Sequence, residues 1–284
     1  MNFTVRLFIF LWATYSFFII LPVVAQTTEE TVVFADKQFE LGNYRLALKE
    51  YKRVLFFNDG RNLDYIYNRI ATIYFNQKNY PKAAYNYELA YKTALLDSMK
   101  NELIFKKAAS YMLDNKFRFA VIELMNLPDS SDKQLNNRKN FYLAVCYWGL
   151  YEFDKAEKYF LALIPDTNYA AKNKMEDLFG KKKNLYRPNP RTAKTMSMIL
   201  PGLGQMYCGD VKNGLNSMVL TGGLVILGIY MTEYYTFLDA FLTAVPWFFR
   251  YYKGGYQKAE QIALQKRNIR RNKTYQKILK LISD

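Results

Sequence analysis

Four copies of one ten-residue pattern recur in phase along the first part of the chain. GNYRLALKEY at 42–51 aligns with KNYPKAAYNY at 78–87, NKFRFAVIEL at 115–124 and YEFDKAEKYF at 151–160. The period is about 36 residues, in the range of stacked helical hairpins. Each copy has an aromatic residue (Tyr44, Tyr80, Phe117, Phe153) and, three positions on, an alanine (Ala47, Ala83, Ala120, Ala156). A large apolar residue closes each copy (Tyr51, Tyr87, Leu124, Phe160). Upstream, a small residue precedes an aromatic at Ala71/Tyr74, Ala108/Tyr111 and Ala144/Tyr147; in the first copy Ala35 is followed by Gln38. The pattern predicts two antiparallel helices per copy. Small residues stand where backbones cross closely, and aromatics fill the space beside them. One such pair cannot bury its own apolar face, so pairs are expected to stack into a solenoid with a concave side.

Composition removes several chemistries. The chain has no histidine, which excludes Ser-His-Asp and Cys-His nucleophiles, histidine metal sites and histidine proton relays. Its two cysteines, Cys146 and Cys208, form no CxxC and fall in segments of different character, so neither a zinc site nor a disulfide framework is indicated. No paired carboxylates stand in a catalytic frame. The expectation is a protein that is not an enzyme and uses no cofactor. The net charge of +15 points to an anionic neighbour, nucleic acid or lipid headgroups. The repeats mix Asp36, Glu40, Glu50, Glu88, Glu102 and Glu152 with their lysines and carry no basic stripe interleaved with aromatics. Nucleic acid is therefore not expected as a partner.

The repeat region, 26–168, resembles the tetratricopeptide repeat, with four units in phase. The proline that often ends such a unit is missing throughout, and Gly42 is the only turn glycine of its kind. In that family the first helix of each pair supplies the ligand-facing side chains. Carried over, the resemblance implies a groove lined by Phe39, Asn68, Thr72, Phe75, Phe105, Met112, Phe141 and Trp148. Such a groove would hold an extended or helical segment of a protein partner.

The segments around the repeats point to a membrane. Residues 1–25 carry Arg6, then an apolar run from 7 to 24, then Val23-Val24-Ala25 before Gln26, the layout of a secretory signal peptide cut after Ala25. An uncut anchor is the other reading, since the run is about long enough to span. Residues 169–194 read as a basic linker with Pro188 and Pro190, suited to a surface of anionic lipid. Residues 195–252 read as a membrane domain. A glycine-rich segment comes first, then an apolar run at 215–230 with Gly222, Gly223 and Gly228, small residues that let another helix approach. Thr232-Glu233 interrupts it. A second apolar run, 234–252, has aromatics at both ends, as in interfacial belts, but contains Asp239 and Pro246. An acid inside a span normally faces a partner helix or water.

PGLGQMYCGDVKNG resembles the PGxGQxYxG signature of small two-pass bacterial membrane domains. Pro201, Gly202, Gly204, Gln205, Tyr207, Gly209 and Gly214 carry the match. The expected fold class is thus all-α: a helical-hairpin solenoid followed by a transmembrane helical hairpin, in the bacterial inner membrane with the repeats in the periplasm. A two-pass hairpin leaves the basic tail, 253–284, on the exported side, against the positive-inside tendency. Either residues 196–207 make a third crossing or re-entrant dip, or the tail lies flat on the outer leaflet of the inner membrane. Ile262, Ile269, Tyr275, Ile278 and Ile282 would then form an imperfect amphipathic face. Two functions fit: a membrane-anchored scaffold that holds a protein partner, the hairpin pairing with another membrane helix or with itself; or an accessory factor for transport or membrane-protein insertion, with Gln205, Glu233 and Asp239 functional at membrane depth.

Overall fold

The repeated turn dictates the first half of the architecture. At the same place in every copy, one residue adopts a left-handed backbone: Gly42 (φ 77°), Lys78 (59°), Asn115 (57°) and Tyr151 (63°). After each comes a residue whose N–H donates five residues back, closing the preceding helix: Asn43 to Gln38 O, Asn79 to Tyr74 O, Lys116 to Tyr111 O and Glu152 to Tyr147 O. This is the helix-ending motif that glycine usually serves. Three of the four copies make it without glycine, which is why the sequence shows a single turn glycine.

A computed structural model describes residues 27–57, 60–128 and 132–283. The signal-peptide expectation for 1–25 lies outside the described residues. Those residues form thirteen α-helices and one 3-10 turn, with no strand among them. They belong to two compact units, Met1–Pro128 and Asp129–Asp284.

The first unit holds three antiparallel pairs: α1 (Thr28–Glu40) with α2 (Tyr44–Phe57), α3 (Leu63–Asn76) with α4 (Tyr80–Thr93), and α5 (Asp97–Leu113) with α6 (Phe117–Met125). Thr27 and Glu30 form a capping box at the start of α1, and Asn79 caps α4 ahead of Pro81. The repeat alanines Ala35, Ala47, Ala71, Ala83, Ala108 and Ala120 have no exposed surface, and Tyr51, Ile66, Ile70 and Leu103 fill the space between helices. The small-residue crossings predicted from the repeat are thus fully closed.

Two charged side chains of this unit are buried, Glu50, which pairs with Arg53, and Lys107. Lys107 on α5 donates to Glu88 on α4 (2.5 Å) and pairs with Glu123 on α6 (2.8 Å). Burial disfavours the Lys107 charge, but the hydrogen bonds to Glu123 and Glu88 outweigh it and hold its ammonium above the ordinary lysine range. Burial acts against the Glu88 charge too, and Lys107 and Lys92 overcome it and pull its carboxyl below the ordinary range. A depressed carboxyl contributes stability that is present above its unfolded-state pKa and lost as pH falls through the depressed value. Lys107→Met keeps the volume, takes the ammonium away from Glu123 and leaves Glu88 with Lys92 alone. It should cost about 2 kcal/mol near neutral pH, below the value for a fully buried pair because Glu88 is partly exposed. The deficit should shrink in acid as the Glu88 carboxylate takes a proton. Hydrogen exchange of the α4 to α6 amides at neutral and acid pH reads both.

The second unit begins with the fourth pair, α7 (Lys133–Gly149) and α8 (Phe153–Leu161), followed by α9 (Tyr169–Gly180) and a 3-10 turn (Lys182–Tyr186). Then come α10 (Pro190–Ile199), the single-turn α11 (Leu203–Tyr207), α12 (Val211–Tyr234) and α13 (Phe237–Ser283). The stretch expected as a linker is therefore mostly helical. Pro190 does not break a helix here: it stands in the first turn of α10, where its missing N–H costs nothing, behind Asn189 as cap. Nor is the tail a separate element. α13 runs through Pro246 for 47 residues, and its last turns pack on the fourth pair. Tyr275 lies against Trp148 (5.4 Å between ring centres) and Phe160 (6.4 Å). The Arg271 guanidinium stacks 3.9 Å from the Tyr151 ring and donates from Nε to the Leu185 carbonyl (2.8 Å). The amphipathic face proposed for lipid is spent on protein: Ile262 and Ile278 are buried and Tyr275 half-buried, while Ile269 is exposed.

Candidate functional site

Two surfaces hold the residues singled out from the sequence. The first is the glycine-rich junction of α10, α11, α12 and α13. Pro201-Gly202 turns the chain between α10 and α11, with Gly202 at φ 93°. A Cβ on Gly202 would stand 2.1 Å from the Gly214 carbonyl oxygen, and one on Gly204 would stand 1.8 Å from the Ala193 carbonyl oxygen. These glycines let three backbones meet. Gly209, at φ 73°, turns the chain again before α12. A buried polar relay ties the junction together. The Gly204 N–H donates to Ser197 Oγ (2.9 Å), the Ser197 hydroxyl to Gln205 Oε1 (2.7 Å), and Gln205 Nε2 to the Gly255 carbonyl (2.9 Å). Lys266 on α13 donates to the carbonyls of Cys208 (2.9 Å) and Gly209 (3.2 Å), and Lys194 pairs with Glu260 (2.9 Å). Around these, Ala193, Cys208, Ala259, Ile262 and Ala263 form a small apolar core. Asp210 caps α12: Asn213 donates to it from both side chain and backbone, which holds its carboxyl below the ordinary range. Tyr207 is partly exposed, and Pro201 is half-buried in the turn.

Beyond the junction α12 and α13 run antiparallel, and their packing is inverted relative to a water-soluble hairpin. Gly214, Thr221, Ala240 and Ala244 are buried, and Gly228 faces the Ala244 methyl. The large apolar residues face outward: Val219 (69 % exposed), Ile226 (70 %), Phe237 (75 %), Leu238 (63 %) and Phe249 (62 %). Small inside and large outside is the arrangement for a hydrocarbon solvent, where close backbone packing rather than apolar burial joins helices. α12 is long and apolar enough to cross a membrane. A shallow apolar groove of about 320 Å³ lies between the two helices, lined by Leu224, Gly228, Phe237, Phe241 and Phe248 among others.

Asp239 is not in the middle of a helix. It occupies the third residue of α13 and forms a reciprocal cap with Thr236: the Thr236 hydroxyl donates to Oδ2 (2.6 Å), and the Asp239 N–H donates to the hydroxyl (3.2 Å). Glu233 lies exposed near the same tip, while Gln205 is buried in the junction. The three polar residues behind the transport reading are thus a helix cap, a tip residue and a structural tie. The short α10 and α11 also leave no helix for a third crossing by residues 196–207: the segment turns back, and Lys266 holds its far end.

The second surface is on the first helices of the pairs. In the first unit Phe39 lies 4.8 Å beneath the Arg69 guanidinium and edge-on to Tyr44. Asn68 accepts from Lys106 (3.1 Å), and Thr72 donates to the Asn68 carbonyl (2.8 Å). Phe75 stands edge-on to Tyr80, and Met112 is half-buried. Phe105, however, has no exposed surface and belongs to the core, because its turn of α5 faces the neighbouring helices. In the second unit Phe141 is exposed, but Trp148 is buried among Phe153, Phe179 and Tyr275. Neither Phe105 nor Trp148 is ligand-facing.

A polar cluster was missed. Tyr51 and Tyr65 both donate to Asp36 (2.5 and 2.8 Å), which also pairs with Arg69 (3.3 Å). Burial, then the bond to Asp36, pushes the Tyr51 phenol up. Charged Asp36 and Arg69 on otherwise apolar helix faces were the available signal. Burial pushes the Cys146 thiol up to about 12 and raises that of Cys208, so neither is a nucleophile near neutral pH. Among the described residues no group of three or more Cys, Asp or Glu is disposed to hold a metal. Compared with protein-family models, characterised proteins and solved structures, the chain matches none.

Proposed function

We propose that this chain is a membrane-anchored scaffold whose tetratricopeptide-like helical pairs hold a protein partner. The observation that carries the membrane half is the inversion of the α12/α13 hairpin, with glycine and alanine between the helices and Ile226, Leu238 and Phe249 outside. The sequence likeness to PGxGQxYxG two-pass membrane domains agrees with it. Both ends of the hairpin emerge at the junction, so the junction, fourth pair and tail share one side of the bilayer. Gly222 and Gly223 have nothing within 4 Å of an added Cβ, leaving room for a further membrane helix or a second copy. The partner half rests on the polar and aromatic face of α1 and α3, where Phe39, Asn68 and Thr72 gather. The scaffold is not an enzyme on this reading and uses no cofactor.

Export by a leader at residues 1–25 puts the helical pairs in the periplasm of a bacterium. Charge pulls the other way: Lys212, Arg250, Lys253 and Lys258 stand at the junction end and Glu233 and Asp239 at the tip. Alkaline phosphatase fused after residue 284 decides. Activity supports the exported arrangement, and inactivity with a fluorescent cytoplasmic fusion reverses it. For the partner, a photocrosslinking residue at Asn68 in cells should give one discrete adduct that the same probe at outward Lys49 does not. Adducts that are identical at both positions, or absent at both Asn68 and Met112, overturn the groove.

A further inference from the structure

The turn between α10 and α11 carries an apolar edge that none of the described residues covers. Met198 is 45 % exposed, Ile199 78 % and Leu200 45 %. The turn is pinned to a defined level of the hairpin. The Tyr252 hydroxyl donates to the Met198 carbonyl (2.7 Å), and one step further from the tip Gln205 holds Gly255. α10 runs antiparallel to α13, with Lys194 at Glu260 and the Tyr252 contact at its end, so its C-terminus points along the hairpin toward the tip. The level it reaches is that of the aromatic band Trp247 to Tyr252, where Arg250 and Lys253 also stand.

α13 is the short helix of the hairpin, although α12 is long enough to cross. The apolar part of α13, residues 237–252, gives about 24 Å at 1.5 Å per residue, against roughly 30 Å of hydrocarbon. The shortfall falls at the junction end, at the level where Met198, Ile199 and Leu200 are exposed. We infer that the α10–α11 turn is a shallow membrane insertion, its three apolar side chains seated at the acyl-headgroup boundary of the leaflet nearest the junction. The occupant of this surface is lipid. The argument is its continuity with the apolar band of the hairpin and the flanking Lys212 and Lys253, which suit anionic headgroups. The turn adds a third foothold beside two helices and fixes the junction against the bilayer. This rests on the hairpin reading, and the test separates the two.

Single cysteines are placed at Ile199 and at Ile226 in the full chain, labelled with an environment-sensitive nitrobenzoxadiazole dye, and reconstituted into phosphatidylcholine–phosphatidylglycerol vesicles. Cys146 and Cys208 are buried, so the chain without an added cysteine serves as blank. Both replaced side chains are exposed, and neither packs in the junction. Nitroxide lipids quench the dye either near the headgroup or deep in the acyl region. The inference expects blue-shifted emission at 199, with at least twofold stronger quenching by the shallow nitroxide, and the reverse preference at 226. No quenching at 199 with deep quenching at 226 overturns the insertion and leaves the hairpin. Stronger deep quenching at 199 overturns the shallow seating. No quenching at either position overturns the hairpin itself.

Discussion

Gly204→Ala should dismantle the junction, and Gly222→Ala, eighteen positions along, should leave it untouched. At 204 an added Cβ would stand 1.8 Å from the Ala193 carbonyl oxygen, 2.7 Å from its carbon and 2.5 Å from Ser197 Oγ. The obstacle is backbone, which cannot swing aside. Relief requires α10 and α11 to separate, and separation breaks the Gly204 N–H to Ser197 and Ser197 to Gln205 bonds. Steric clash and orphaned buried polar groups add, so a loss of about 4 kcal/mol or more is expected. Gly202→Ala meets the Gly214 carbonyl at 2.1 Å and also a left-handed backbone, and should approach the same loss. Gly214→Ala meets Met206 Cγ at 2.6 Å and the Gly202 carbonyl oxygen at 2.9 Å, a milder backbone clash than at 202 or 204, and should cost less. Gly222 and Gly223 are helical and open, so alanine there should be neutral, or gain up to about 1 kcal/mol from helix propensity. Thermal unfolding of the detergent-solubilised chain gives the order. A Gly204→Ala midpoint equal to that of Gly222→Ala would refute the close approach.

That ordering was half legible in the amino acids. Gly202, Gly204, Gly209 and Gly214 cluster within thirteen positions, and Gln205 is conspicuous in an apolar run, so a special backbone site was evident. Its partner was not. Gly255 accepts from Gln205 across fifty residues, and nothing local marks it. The repeat was more transparent, because alanines at 0 % exposure and aromatics in phase follow from one packing rule copied four times. The left-handed turns were hidden, since Lys78, Asn115 and Tyr151 do not advertise positive φ. Polarity misled at Asp239, where an acid inside an apolar run proved to be the cap of a new helix. It misled again in the tail. There α13 buries Ala259, Ile262 and Ala263 on one face and Arg271 and Ile278 further on, with Tyr275 half-buried between them. Small residues and an arginine do not score as an apolar stripe, so the buried face looked broken.

The tail also yields the second large expected effect. Tyr275→Ala should destabilise the second unit by about 3 kcal/mol, the lower part of the range for removing a packed aromatic, because Tyr275 is only half-buried. Its ring closes the aromatic cluster of Trp148, Phe160 and Phe179, and Ile278, with no exposed surface, sits one turn below. Burial pushes the Tyr275 phenol up, and its hydroxyl makes no hydrogen bond to the described residues. Tyr275→Phe should therefore be neutral within about 0.5 kcal/mol. Trp148 is the reporter. With Trp12 and Trp247 replaced by phenylalanine, its emission should be blue in the parent and in Tyr275→Phe, and should move to the red in Tyr275→Ala as water enters beside the indole. A tail lying on lipid makes the opposite prediction. Tyr275→Ala would then weaken vesicle binding and leave Trp148 emission where it was. The two outcomes cannot both occur, because the ring that would face the headgroups is the one packed against the indole.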